Sequence, residues 1–167
     1  MVLALPSGVV GVRRSGRQVG ELRSAATPDA CASHHRINKR VTEVREDMQQ
    51  IGSAAELQQV VEDFKKLRDE LSANFREEEE GAVLEEAVSH NPAIAAEADR
   101  LKEQHKELLN SLRAICAKAE LASLASEAIK EMVGEFDSFA ATLHAHETAE
   151  NRIMEQGFNL DLGLENT

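Results

Sequence analysis

The sequence has no tryptophan and no tyrosine, and only two cysteines and three prolines. Without those aromatics, the side chains that favour strands are scarce. With so little proline, little interrupts long helices. Cys31 and Cys116 form neither a CxxC pair nor a disulfide framework, so a reducing compartment, the cytoplasm, is expected. Cations are also in deficit. Nineteen Lys and Arg face thirty Asp and Glu, for a net charge of −11. Phosphate backbones call for clustered Lys and Arg, so no nucleic-acid partner is expected. No apolar run approaches the roughly 18 residues of a membrane-spanning helix, so no membrane association is expected either.

What is present is helix-forming: Ala, Leu, Glu, Lys and Gln dominate. The hydrophobic share of 42% is ordinary for a globular chain, and 167 residues suffice for one domain with a real core. Residues 1–26 stand apart. They carry Arg13, Arg14, Arg17 and Arg23 against Glu21 alone. They lack the basic start of a secretory signal and read as an extension, disordered or targeting.

Four helices follow. Thr27-Pro28-Asp29 gives a cap, a proline at the first helical position and an acid in the first turn. The stripe Ala30, His34, Ile37, Val41, Val44, Met48, Ile51 then runs to Gly52. Ser53-Ala54-Ala55-Glu56 is a capping box. Its helix carries Leu57, Val60, Phe64, Leu67, Leu71, Asn74 and Glu78 and continues to about Val88. Asn91-Pro92 opens a third helix with Ile94, Leu101, His105, Leu108, Leu112 and Ile115. After a turn between Ala117 and Glu127, a fourth runs to Gln156 with Gly157 as its C-cap. Residues 158–167 form a tail whose Leu160, Leu162 and Leu164 are suited to strap the domain. The expected fold is all-α: an up-down-up-down antiparallel four-helix bundle over residues 27–157.

Within that bundle, ionisable groups occupy positions that should be buried. Phe136, Phe139, Leu143, His146, Glu150 and Ile153 share one helix face. In antiparallel helices, residues equally far from the connecting turn lie at one level. His34 and Asn74 are centred on residue 54, beside the first turn. Glu78 and His105 are centred between 91 and 92, at the second, and His105 and His146 between 125 and 126, in the third. Glu150 lies one turn from His146 on the same face. Any one of these is most often an ordinary core or helix-end residue. Together, His34, Glu78, His105, His146 and Glu150 place three imidazoles and two carboxylates at one depth. Burying them uncompensated would cost several kcal/mol per charge. A metal centre is the usual compensation in a helical bundle. Mixed imidazole and carboxylate ligands suit iron best, then manganese or zinc. Two carboxylates able to bridge suggest two ions.

His34, Asn74-Phe75-Arg76-Glu77-Glu78-Glu79-Glu80, Leu101-Lys102-Glu103-Gln104-His105 and His146-Glu147-Thr148-Ala149-Glu150 resemble, in order and spacing, the motifs of the hemerythrin-like, HHE-type cation-binding domains. The resemblance covers about residues 30–157. It implies a non-haem di-iron centre that binds O2 or senses oxygen, nitric oxide or iron. It makes His34 the ligand from the first helix, Glu78 and Glu150 the bridging carboxylates, and His105 and His146 terminal imidazoles. Three positions depart from the family pattern. Asn74 stands where the family usually has His, Leu101 replaces a second His, and Asn151 occupies the common place of the last acid. Asn74 remains able to ligate through its carbonyl oxygen or a water, and Leu101 does not.

No substrate pocket is legible, so binding or sensing is expected rather than catalysis. A metal-free acidic module for a protein partner is the alternative, favoured by Asn74 and Leu101. A histidine phosphotransfer bundle using His105-Lys106 ranks third, because His105 falls on the buried stripe. His35, His90 and His144 are expected to face solvent, and Cys116 to be core packing.

Overall fold

The computed structural model describes residues 28–122 and 124–163, with side chains for 33–122 and 124–158. The extension 1–26, the Thr27 cap and the side chains of Cys31, Leu160, Leu162 and Leu164 lie outside the described residues. Among those described, the chain is helical with no strand. It comprises α1 (Pro28–Gln49), α2 (Ala54–Gly81), α3 (Val83–His90), a 3-10 turn (Pro92–Ile94), α4 (Ala95–Leu121) and α5 (Ser126–Gly163).

Three of the starts follow local chemistry. Pro28 opens α1, where its missing N–H would have had no partner anyway. The Ser53 Oγ accepts from the Glu56 N–H, while the Glu56 carboxylate accepts from the Gly52 N–H at 2.8 Å. The Asn91 side chain accepts from the Ala93 N–H just ahead of α4.

Two boundaries differ from expectation. The second helix does not continue to Val88. It breaks at Ala82, which adopts φ 52° and ψ 23° in the left-handed region, and α3 restarts at Val83. A side chain there costs about 1–2 kcal/mol. Gly81, the residue best suited to that conformation, sits one position early with a negative φ. The break redirects the chain so that Leu84 and Ala87 are buried, in a helix packed mainly on α5. The described helices are therefore five, not four.

Nor is Gly157 a C-cap. The last helix passes through it to Gly163, and the expected tail begins inside that helix. Gly157 is buried, and a Cβ there would lie 2.5 Å from the Cβ of Ala87. The glycine permits close approach of α5 to α3.

Helix α1 packs on α2, α2 on α4, α4 on α5 and α5 on α1; α3 lies against α5 and also touches α2 and α4. Two apolar clusters result. The larger draws Ile37 to Met48, Leu57 to Phe75, Leu108 to Ala119 and Met132 to Leu143 from the four long helices. Phe64 and Phe136 are fully buried in it, with ring centroids 5.3 Å apart. The smaller comprises Leu84, Ala87, Ile94, Ala98, Leu101 and Ile153. Among the described residues, no helix is long and apolar enough to cross a membrane.

Candidate metal centre

Between the two apolar clusters lies a polar layer. Its members come from four helices: Ser33, His34 and Asn38 from α1; Asn74, Phe75, Glu78 and Glu79 from α2; Gln104 and His105 from α4; His146, Glu147 and Glu150 from α5. Asn74, His105, His146, Glu147 and Glu150 are all buried. The side chains of His34 and Glu78 keep 20% and 21% exposure, so the layer opens between α1 and α2.

The five residues singled out in the sequence converge. One ligand atom from each of Glu78, His105, His146 and Glu150 lies within 4.8 Å of all the others. His105 Nε2 is 3.5 Å from Glu78 Oε2 and 3.4 Å from Glu150 Oε1, and His146 Nε2 is 3.2 Å from the same Glu150 oxygen. His34 Nε2 stands 3.1 Å from Glu78 Oε1 and 3.9 Å from Glu150 Oε2. The two carboxylates thus divide their oxygens. One oxygen of each serves His105 and His146 or His105 alone, and the other faces His34.

The outer nitrogens are also engaged. His105 Nδ1 lies 3.0 Å from Glu79 Oε1, and His146 Nδ1 lies 3.2 Å from Gln104 Oε1. A proton held on each Nδ1 leaves the Nε2 lone pair facing inward, the tautomer that a metal ligand needs. Phe75 stacks on the His105 ring at 4.0 Å and 6°.

Three buried atoms in the layer have no hydrogen-bond partner: Glu147 Oε1 and, within the four-residue cluster, Glu78 Oε2 and His146 Nε2. Although Glu150 Oε1 is near His146 Nε2, the pair does not form a hydrogen bond. Unsatisfied buried polar atoms are costly, and a cation among these four residues would engage the latter two. Two imidazole nitrogens and two carboxylate oxygens form a donor set that fits iron, manganese or zinc.

The ionisation pattern has clear causes. Burial alone would push the Glu150 carboxyl up; the His105 hydrogen bond and the close imidazoles of His105 and His146 overcome it and bring the pKa down to about 2. The Glu78 hydrogen bond raises the His34 imidazole against the effect of burial. Burial lowers His105, but bonds to Glu150 and Glu79 outweigh it, and the net direction is upward. Burial raises the Glu147 carboxyl.

Asn74 takes a role the sequence left open. Its carbonyl oxygen accepts from the Ser33 hydroxyl and its amide donates to Glu78 Oε1. It orients a carboxylate instead of offering a lone pair to the centre. Leu101 is fully buried in the smaller apolar cluster, and Asn151 is exposed on the outer face of α5. His35 and His144 are exposed, as is His90, whose ring meets Phe158 at 5.5 Å. Cys116 is buried, and burial raises its thiol pKa.

Sequence reasoning missed Glu79, Gln104 and Glu147. For Gln104 the signal was present: Gln104 and His146 are centred on residue 125, inside the third turn, so the same depth argument pairs them. Glu79 was hidden in an acidic run with nothing to select it. A separate groove between α4 and α5 has Gln104, Glu107, Ser111 and Thr142 in its wall and meets the centre only through Gln104.

Comparison with protein-family models, with curated proteins and with solved structures finds no match to this chain.

Proposed function

We propose that the chain is a hemerythrin-like, non-haem iron-binding protein, cytoplasmic, that holds two iron ions and binds or senses O2, nitric oxide or iron. The observation that carries this reading is the pair of buried, unpartnered atoms, Glu78 Oε2 and His146 Nε2, set against His105 and Glu150. The divided oxygens of Glu78 and Glu150 support two ions rather than one.

An up-down-up-down antiparallel four-helix bundle of α1, α2, α4 and α5 is supported by cross-links that run in opposite chain directions. Between α1 and α5 they fall at His34–Glu150, Asn38–Glu147 and Arg45–Asp137. Between α2 and α4 they fall at Lys65–Glu120 and Glu79–His105, and between α4 and α5 at Gln104–His146 and Lys118–Glu131. Among the described residues, no Cα of α1 comes within 8 Å of one in α4, and none of α2 within 8 Å of one in α5; only side chains such as Phe64 and Phe136 meet across the ring.

Bound iron supplies redox and Lewis-acid chemistry. The protein's part is to shape the place. Glu79 and Gln104 hold the imidazole tautomers, Asn74 orients Glu78, and Phe75, Leu101 and Ile153 keep water from the buried side. A small neutral ligand enters between α1 and α2, past His34 and Glu78.

A metal-free interaction module is the second reading. It is favoured by His105, which as an imidazolium meets Glu79 on one nitrogen and Glu150 and Glu78 on the other with no cation present. Phosphotransfer is disfavoured, because His105 is 1% exposed.

The test is metal analysis with absorption spectroscopy after anaerobic ferrous reconstitution. About two irons per chain are expected, with near-ultraviolet charge-transfer bands that a chain without Trp or Tyr cannot mask. His146→Ala combined with Glu150→Ala should abolish uptake and remove the mass-action stabilisation of the loaded form, about 4 kcal/mol at a thousandfold excess over Kd. A reconstituted wild type without transition metal would defeat the reading.

A further inference from the structure

We infer that Glu147 is a ligand of the second cation, together with His34 and the far oxygens of Glu78 and Glu150. This rests on the reading of the layer as a two-ion centre and assigns the side of it that the motifs leave incomplete.

The His34 side is short of donors. The first position has His105, His146 and one oxygen from each shared carboxylate. Across those carboxylates stands a single imidazole, His34. Asn74, at the position of a further imidazole, is occupied with Ser33 and Glu78.

Glu147 is the buried carboxylate one helical step from this side, on the face of α5 that meets α1. It is 6% exposed. Its Oε2 accepts from Asn38 Nδ2 at 2.8 Å, while its Oε1 has no hydrogen-bond partner. Asn38 lies one turn after His34 on α1, and Glu147 lies three residues before Glu150 on α5. The Asn38–Glu147 and His34–Glu150 pairs are therefore successive cross-links between the same two helices, one turn apart. His34 and Glu147 act on each other electrostatically across that step. A buried carboxylate oxygen without a partner is costly, and a cation beside His34 removes the cost. His146 and Glu147, adjacent in the chain, then serve different ions, because successive helical residues point about 100° apart.

The two positions differ in chemistry. The first offers two nitrogens and two carboxylates, the second one nitrogen and three carboxylates. Oxygen-rich sets suit harder ions, so the second position discriminates less against Mn2+ and Fe2+ relative to Zn2+ than the first does, and it binds after the first.

The experiment is titration of metal-free protein with Mn2+, followed by equilibrium dialysis and electron paramagnetic resonance. Wild type is expected to take two ions per chain with a spin-coupled signal. Glu147→Gln keeps an oxygen for Asn38 and removes the charge. It should take one ion, lose the coupling, and bind any second ion at least about tenfold more weakly, a loss that even outer partners of a metal site can cause. Metal-free Glu147→Gln should melt no lower than wild type, which separates ligand loss from misfolding. If Glu147→Gln takes two ions at wild-type affinity, or wild type stops at one, the assignment is overturned while a metal centre remains. If wild type takes neither Mn2+ nor Fe2+, the reading beneath it falls as well.

Discussion

The larger apolar cluster and the polar layer beside it fill the space between the same four helices by opposite means. In the cluster, Phe64, Leu67, Leu112 and Phe136 are fully buried and carry no polar side-chain atom. About two to four turns along the same helices, Asn74, His105, His146 and Glu150 are buried nearly as deeply. Every side-chain polar atom in the layer needs a partner, and several lack one. The cluster holds the helices together through area removed from water. The layer adds little to folding on its own, because the cost of desolvating its charges offsets their attraction. The contrast teaches that the cluster is the stabilising part, while the layer holds buried polar groups that folding alone does not compensate.

Substitutions can break that contrast. Phe64→Ala should destabilise the chain by about 3–5 kcal/mol, by lost burial and a cavity. The thermal midpoint should fall by roughly 2–4 °C for each kcal/mol, equally with and without metal, and metal stoichiometry should not change. A loss of metal binding in this variant would show that the two regions are not separable. In the smaller cluster, Gly157→Ala forces a Cβ within 2.8 Å of the Ala87 backbone and should cost about 1–3 kcal/mol in a denaturant melt. Gly134→Ala, where nothing lies within 4 Å of the new Cβ, should instead gain roughly 0.8–1 kcal/mol from helix propensity. Equal effects at the two glycines would refute the close approach of α3 to α5.

The subtlest expected effect is on pH dependence, which sharpens the comparison because, of the two regions, the layer holds the carboxylates and imidazoles, while the larger cluster holds only the Cys116 thiol, whose pKa burial raises. In metal-free protein the raised His34 and His105 pKa values stabilise the fold below the ordinary value of 6.5, and that contribution is lost as pH rises through their folded values. Glu150, lowered to about 2, contributes above the ordinary 4.5 and loses its contribution as pH falls toward 2. Stability should therefore be greatest between the two ordinary values and decline on the alkaline side. Loaded protein should show the reverse slope above 6.5, since metal competes with protons for the same nitrogens. Parallel slopes in melts of the two forms would argue against imidazole ligation.

Helix identity and depth were legible because both are local or nearly so. The stripe spacing in α1, the capping box at Ser53 and the Asn91-Pro92 start follow from residues within a few positions of each other. The depth argument then needed only the turns to bring His34, Glu78, His105, His146 and Glu150 together. The break at Ala82 was not legible, because an alanine in the left-handed region is held there by the burial of Leu84 and Ala87 against α5, a helix distant from them in sequence. The same holds for Gly157, read as a helix end until Ala87 is seen against it.

Sequence by itself determined that this chain is helical and where its polar residues fall along each helix, since both depend on periodicities that the backbone imposes. Only the tertiary structure decided which oxygen of each carboxylate meets which imidazole, that Asn74 turns to Ser33 and Glu78, and that Glu147 is buried beside Asn38. Those outcomes depend on the rotation and separation of neighbouring helices, which are set by packing across the whole interior.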